Sequence, residues 1–262
     1  MTKTPKNSKT LSKERYNQYA QGYVNSKTHA SGFDLERLLT LAQPQKDWTV
    51  LDIATGGGHT ALRFAPFVKQ VIASDLTPNM LEAAKAHIIE KGVTNVDFQL
   101  ADAENLPFEA NHFDLVTCRI APHHFPDVFK FVQESYRVLK AGGIFLVQDH
   151  VLPDSEKDGR YVDAFEKLRD PSHNRAFAEY EWTGTFLDAG FTVEHTEQLT
   201  KQHEFIPWAE RQGCSPDVIQ RLEVLLAQAP PVAKAWMQGR AIGTPEATFI
   251  NHHLIIKGSK PE

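Results

Sequence analysis

The sequence predicts an α/β protein built on a doubly wound, mostly parallel sheet, and three observations lead there. A β-rich apolar run, Trp48 to Ile53, enters Gly56-Gly57-Gly58 and passes straight into a helical pattern. Further short apolar runs then alternate with helical stretches as far as residue 150, the rhythm of crossover units. Acids stand at the ends of several of these runs, at Asp52, Asp75, Asp102 and Asp149, where an open α/β sheet binds its ligands.

Taken in order, residues 1–13 are rich in Lys, Thr, Ser and Asn and are expected to be mobile. Tyr16, Tyr19 and Tyr23 recur at helical spacing, and Asp34 to Ala42 reads as an amphipathic helix; with the tail, residues 1–45 form a tail and lid helices. Residues 46–262 make up the main domain. Its first strand is Trp48–Ile53 and its first helix runs from about Gly58 to Phe67. The second strand is Val71–Asp75. Thr77-Pro78 opens the next helix, since a hydroxyl caps well and Pro suits the first turn, and Gly92 ends it. Strands at Val96–Leu100, Phe113–Cys118 and Gly143–Asp149 follow, with a helix Phe125–Leu139 before the last. Beyond it come a helix Glu181–Ala189, a strand Phe191–Leu199, helical material over 208–238 broken at Pro230-Pro231, and a strand Thr248–Lys257. Residues 151–180 and 200–247 read as helical cap insertions over one edge of the sheet, the source of substrate choice.

Composition narrows the function. A net charge of −5 gives no blanket attraction to nucleic acid or to an anionic membrane. No apolar run is long enough to span a bilayer and no signal peptide is evident, so a cytoplasmic protein without membrane insertion is expected. Two cysteines, Cys118 and Cys214, make no disulfide framework, and no Cys/His spacing suggests a metal site.

The glycine turn offers close backbone approach and a helix N-terminus to a ligand. Gly56-x-Gly58-x-x-Ala61 also fits a dinucleotide fingerprint, which leaves an NAD-dependent oxidoreductase as an alternative. Asp52 speaks against it, because a carboxylate before the loop would repel a pyrophosphate but suit the cationic S-adenosylmethionine. Asp75 can accept ribose hydroxyls from either ligand.

The stretches V-L-D-I-A-T-G-G-G-H-T, V-I-A-S-D-L-T-P-N-M-L, A-D-A-E-N-L-P-F, F-D-L-V-T-C-R-I-A-P-H-H-F and S-Y-R-V-L-K-A-G-G-I-F-L-V-Q-D occur in order over about residues 48–150. With them the chain resembles class I S-adenosylmethionine-dependent methyltransferases, in particular the group around the ubiquinone/menaquinone C-methyltransferases. One departure is Ala54, where that family usually has glycine. The resemblance implies a Rossmann-like sheet of seven strands whose last is antiparallel. It places Asp52, Ala54, Gly56 and Gly58 at the methionine moiety, Asp75 with Leu76 at the ribose, Met80 or Asn79 beside the adenine, Asp102 with Ala103 on the adenine ring, and Arg119 near the sulfonium. Outside residues 48–150 the resemblance weakens.

Methyl transfer from a sulfonium is a displacement with the leaving group already activated, so a base is needed only where the acceptor must lose a proton. Candidate catalytic residues are His123 and His124 after the fourth strand and Asp149, next to His150, after the fifth; a plain turn or helix cap is the simpler role for the histidine pair. Arg169, Asp170 and His173 have the chemistry to bind a polar substrate, but a structural turn is their better reading. An N-P-P-Y motif, typical of enzymes that methylate nucleic-acid bases, is absent after the fourth strand. The expected partner is a small-molecule methyl acceptor, partly apolar, under a cap carrying Phe165, Phe177, Trp182, Phe205, Trp208 and Trp236. The chain is expected to act as a monomer or homodimer. A binding protein that has lost turnover would show the same acids.

Overall fold

The structure is a computed structural model that describes residues 9–16 and 32–262; Tyr19 and Tyr23 lie outside those residues. Two helices precede the sheet, α1 (residues 9–16) and α2 (Phe33–Ala42). Residues 9–13, expected to be mobile, are helical and carry Lys9 onto Asp102 and Glu104.

The sheet begins with β1 (Thr49–Ile53), whose Val-Leu-Asp-Ile run is buried on both faces, as in a central parallel strand. Next come α3 (His59–Phe64) with a short 3-10 turn (Ala65–Phe67), β2 (Gln70–Asp75), α4 (Pro78–Glu90), β3 (Val96–Leu100) and β4 (Phe113–Arg119). After α5 (Val128–Val138) the chain enters a long β5 (Leu139–Leu152). The sequence places this helix three residues earlier, at Phe125. Pro126 disfavours helical backbone at the residue before it, and Asp127 caps the start by accepting from the Lys130 amide at 2.9 Å. The Thr77 hydroxyl does not cap α4 as expected; it bonds to Asp75 instead.

Then follow α6 (Glu156–Arg169), a two-residue β6 (Phe177–Ala178), α7 (Glu179–Asp188), β7 (Thr192–Glu204), α8 (Phe205–Glu210), α9 (Pro216–Ala227), α10 (Pro231–Met237) and β8 (Thr248–Ser259). Strand β7 continues past Leu199, because Thr200 to Glu204 find partners in Thr248 to His252 of β8. The strand order is β3-β2-β1-β4-β5-β8-β7, with β6 on the end of β5. Strands β1 to β5 are parallel, and β8 runs antiparallel to both of its neighbours. This is the doubly wound, Rossmann-like sheet that the sequence predicts.

One face of the sheet packs Val50, Leu115 and Leu146 against Leu38, Phe64 and Ile88 from α2, α3 and α4. The other packs Leu51, Val116 and Phe145 against Phe131, Trp182 and Phe186 from α5 and α7. A third core joins α6 to α8, α9 and α10 through Phe165, Trp208, Leu222 and Met237, so the two stretches beyond β5 form one helical cap. Among the described residues, no helix is long and apolar enough to cross a membrane.

The turn after β1 needs unusual backbone angles. Gly58 has φ +80°, and a Cβ there would sit 2.9 Å from Ile88 Cδ1 of α4, so this glycine lets α4 pack close. Ala54, at the family's usual glycine, has φ +53°. A left-handed Ala is strained by about 1–2 kcal/mol, against roughly 0.5–1 kcal/mol of extra freedom that a glycine gives the unfolded chain. Ala54→Gly is therefore expected to be as stable as the parent, or up to about 1 kcal/mol more stable, in urea unfolding; a clear loss would mean that the Ala54 methyl packs more usefully than its backbone is strained.

Candidate active site

The ends of β1, β2 and β3 build the first half of the site. Asp52 is fully buried, and its two oxygens accept from the hydroxyls of Thr55 (2.6 Å) and Thr117 (2.8 Å). Burial raises it to about 6 despite these bonds. It thus ties the glycine turn to β4. Asp75 accepts from the amides of Thr77 (2.9 Å) and Gly56 (3.1 Å) and is likewise raised by burial to about 6. Asp102 accepts from Lys9 at 2.7 and 3.0 Å and from the Glu104 amide at 3.0 Å.

A first cavity opens at these strand ends. Its walls are largely apolar, from Ile53, Ala54, Leu76, Met80, Ala103 and Phe125, and Asp75, Asp102 and Arg119 line it too. Lys9, Ser12 and Tyr16 of α1 border it. Gly56 and Gly58 do not line it; the first supports Asp75 and the second seats α4.

The second half is made by the turn after β4. Ile120 has φ +54°, a left-handed conformation that a β-branched residue adopts only under strain. Its amide donates to Gln148 O at 2.7 Å. The turn delivers Pro122–His124, a short 3-10 segment, beneath the end of β5. There the Asp149 carboxylate accepts twice from His123, from the backbone amide at 2.7 Å and from Nδ1 at 2.6 Å. With the proton on Nδ1, Nε2 carries the lone pair, and no described residue bonds to it. Burial raises Asp149 to about 7, and burial, then His124 and His173, hold His123 well below its ordinary value. The imidazole is therefore neutral and oriented. His124 is committed elsewhere: its Nδ1 donates to Ser172 O at 3.1 Å, and its Nε2 accepts from the Tyr16 hydroxyl at 2.5 Å.

His123 lines a second cavity, which shares Tyr16, Ile120 and His124 with the first. This chamber is polar. His150, His173, His203 and His253 surround it with Lys201 and Glu166, and Arg169, Asp170 and Arg211 also reach it. The imidazoles follow one another, with centroids 4.7 Å apart between His123 and His150 and 4.6 Å between His150 and His253. Of the six aromatic residues the cap is expected to carry, of which one or two are expected to face the pocket, Trp208 lines the chamber. Phe165, Phe205 and Trp208 are spent on the core of the cap, Phe177 and Trp182 pack in the core between the sheet and α7, and Trp236 stacks on His252. Among the described residues, no group of side chains is arranged to hold a metal ion.

Arg119 is nearly buried and donates to Asp34 at 2.7 Å. The same oxygen of Asp34 accepts from Lys201 at 2.9 Å, so one carboxylate of α2 links a cation of the first cavity to a cation of the second. Burial alone would raise Asp34, but Arg119 and Lys201 hold it far below the usual carboxylate range.

The comparisons give the class of protein to which this fold belongs. Residues 51–147 match the family model described as a methyltransferase domain. The uncharacterized methyltransferase YcgJ of Bacillus subtilis is 39% identical over 202 residues, 77% of this chain and 80% of that protein. The ubiquinone/menaquinone C-methyltransferase UbiE of Pseudomonas putida is 36% identical over 120 residues, 44% of this chain and 47% of that one. The crystal structure of a putative methyltransferase from Bacillus halodurans superposes with a TM-score of 0.84 at 37% identity, covering 88% of this chain and all of the other. The chain belongs to the class I S-adenosylmethionine-dependent methyltransferases. The oxidoreductase alternative finds no support among these relatives.

Of the candidate residues, Ala54, Asp75, Leu76, Met80, Asp102, Ala103, Arg119 and His124 come together on the first cavity, while His123 faces the second with Asp149 behind it. Arg169, Asp170 and His173, read from sequence as a turn, belong to the chamber wall. Lys201, His203 and Asn251 do not stand out in the sequence, and His253, paired there with His252, reads only as a weaker candidate on an edge strand. A signal for them exists: they sit at alternate positions of two paired strands, in the register Lys201↔Asn251, and His253 lies opposite His150 on β5.

The buried histidines set a pH dependence. His253 is held well below 6.5 by burial first, then by His150 and Lys201. A lowered folded-state pKa contributes stability above the unfolded value that is lost as pH falls below it, because only the unfolded chain takes up the proton. Between about pH 7.5 and about pH 5.5 the parent is expected to lose about 1 kcal/mol more stability than His253→Phe. Parallel urea curves at the two pH values test this, and equal losses would contradict it.

Proposed function

We propose that the first cavity binds S-adenosylmethionine and that the polar chamber binds a small acceptor, with His123 as the base. The observation that carries this reading is the meeting of the two cavities at Ile120, beside a neutral, oriented imidazole. The donor set of the first cavity fits the ligand. An apolar slot between Leu76, Met80 and Ala103 suits a purine, and carboxylates at two adjacent strand ends suit ribose hydroxyls (Asp75) and an exocyclic amine (Asp102).

Bound S-adenosylmethionine would supply a methyl group on an activated sulfonium leaving group. The chain supplies position and a proton acceptor. Ile120 and Tyr16 form the shared wall of the two cavities. Arg169 of α6 and Trp208 of α8 give the chamber a wall from the helical cap. Nε2 of His123 takes the proton that the acceptor releases, and Asp149 offsets the imidazolium that results. Asp52, Gly56 and Gly58 act by shaping the loop.

Asp75→Ala is expected to weaken S-adenosylhomocysteine by about 1.5–3 kcal/mol, the range for hydrogen bonds to a charged group. Calorimetry on the folded variant measures it, and unchanged affinity would move the cofactor away from this cavity.

A further inference from the structure

The chamber described above has more charge than a methyl acceptor of neutral chemistry needs. Arg119 and Lys201 share the single carboxylate of Asp34. Asp34 Oδ2 takes one of the three N–H groups of the Lys201 ammonium. Arg169 and Arg211 add two further cations to the same wall. Against them stand Asp170, which pairs with Arg15, and Glu166. Burial pushes the Glu166 carboxyl up, against the pull of Arg169 and His173. The histidines register the same field. His203 is lowered to about 3, by burial first and then by Arg169, Arg211 and Lys201.

A second feature is independent of charge. His253 is 2% exposed, lines the chamber, and neither of its ring nitrogens has a hydrogen-bond partner among the described residues. A buried imidazole costs free energy unless its polar atoms are satisfied. It stands opposite His150 across β5 and β8, two residues from Asn251 on the same face, and Asn251 is the register partner of Lys201. The polar stripe over β5, β8 and β7 thus presents N–H donors in a row to one enclosed volume.

We propose that the acceptor carries a small oxyanion, a carboxylate or a phosphate, and that Lys201 and His253 hold it in the chamber. The oxyanion accepts from the ammonium and from one imidazole N–H, charge-assisted bonds in a wall that Lys201 and Arg169 make basic. Fixing that end of the molecule presents its nucleophilic atom to His123. This rests on the reading of the chamber as the acceptor site.

The test uses the full chain saturated with S-adenosylhomocysteine, and calorimetry with three probes: benzoate, inorganic phosphate and benzamide. Benzoate or phosphate is expected to bind saturably, about tenfold or more tighter than neutral benzamide. Whichever anion binds better identifies the carboxylate or the phosphate as the group. Lys201→Met and His253→Phe are each expected to weaken that anion by about tenfold, and His253→Phe to leave S-adenosylhomocysteine affinity unchanged. Benzamide binding as well as the anions, or no anion binding to the loaded protein, would overturn the proposal. So would full anion affinity in both variants. If either variant fails to fold, the comparison of anion with amide on the parent still decides. Failure of S-adenosylhomocysteine itself to bind would instead strike at the cofactor reading.

Discussion

The arrangement depends on one strained turn. Ile120 leaves β4 in a left-handed conformation that its branched side chain disfavours, and its amide is held by Gln148 of the neighbouring strand. Without that reversal the chain would continue outward from the sheet. With it, the Pro122–His124 segment folds under β5 and His123 meets Asp149 through two hydrogen bonds. The same residue then stands between an apolar cavity and a polar one. Strain at such a position persists only when surrounding contacts over-determine it, and the parallel ladder of β4 and β5 provides them.

Charge is organised around a second shared element. Asp34 comes from α2, outside the sheet, yet it joins Arg119 at the end of β4 to Lys201 of β7. A buried carboxylate between two cations is costly to assemble and more costly to break, so α2 is tied to both cavities at once. Helix α1 adds a second tie, with Lys9 on Asp102, Tyr16 on His124 and Arg15 on Asp170. The N-terminal helices are therefore part of the site and not an appendage to it.

Much of this was legible in the sequence. The alternation of strands and helices over residues 48–150 gave the sheet, since parallel strands buried on both faces read as continuous apolar runs. Asp75, Asp102 and the His123-His124 pair stand out in the sequence because they follow strand ends, where the sheet opens its cavities. For Asp52 the sequence shows that an acid ends a strand, not which way it turns; Thr55 and Thr117 hold both of its oxygens. The chamber was obscured for a different reason. Lys201, His203 and His253 come from strands whose polar alternation resembles an exposed edge, and only the cap closing over them makes that face an interior. Most of the cap aromatics give that region a core.

The most direct test of the account is a crystal structure of the protein with S-adenosylhomocysteine. The account predicts the purine among Leu76, Met80 and Ala103, the ribose hydroxyls on Asp75, and the thioether sulfur beside Ile120, facing the chamber that holds Nε2 of His123. A ligand bound elsewhere, or one whose sulfur points away from the histidine chamber, would contradict it.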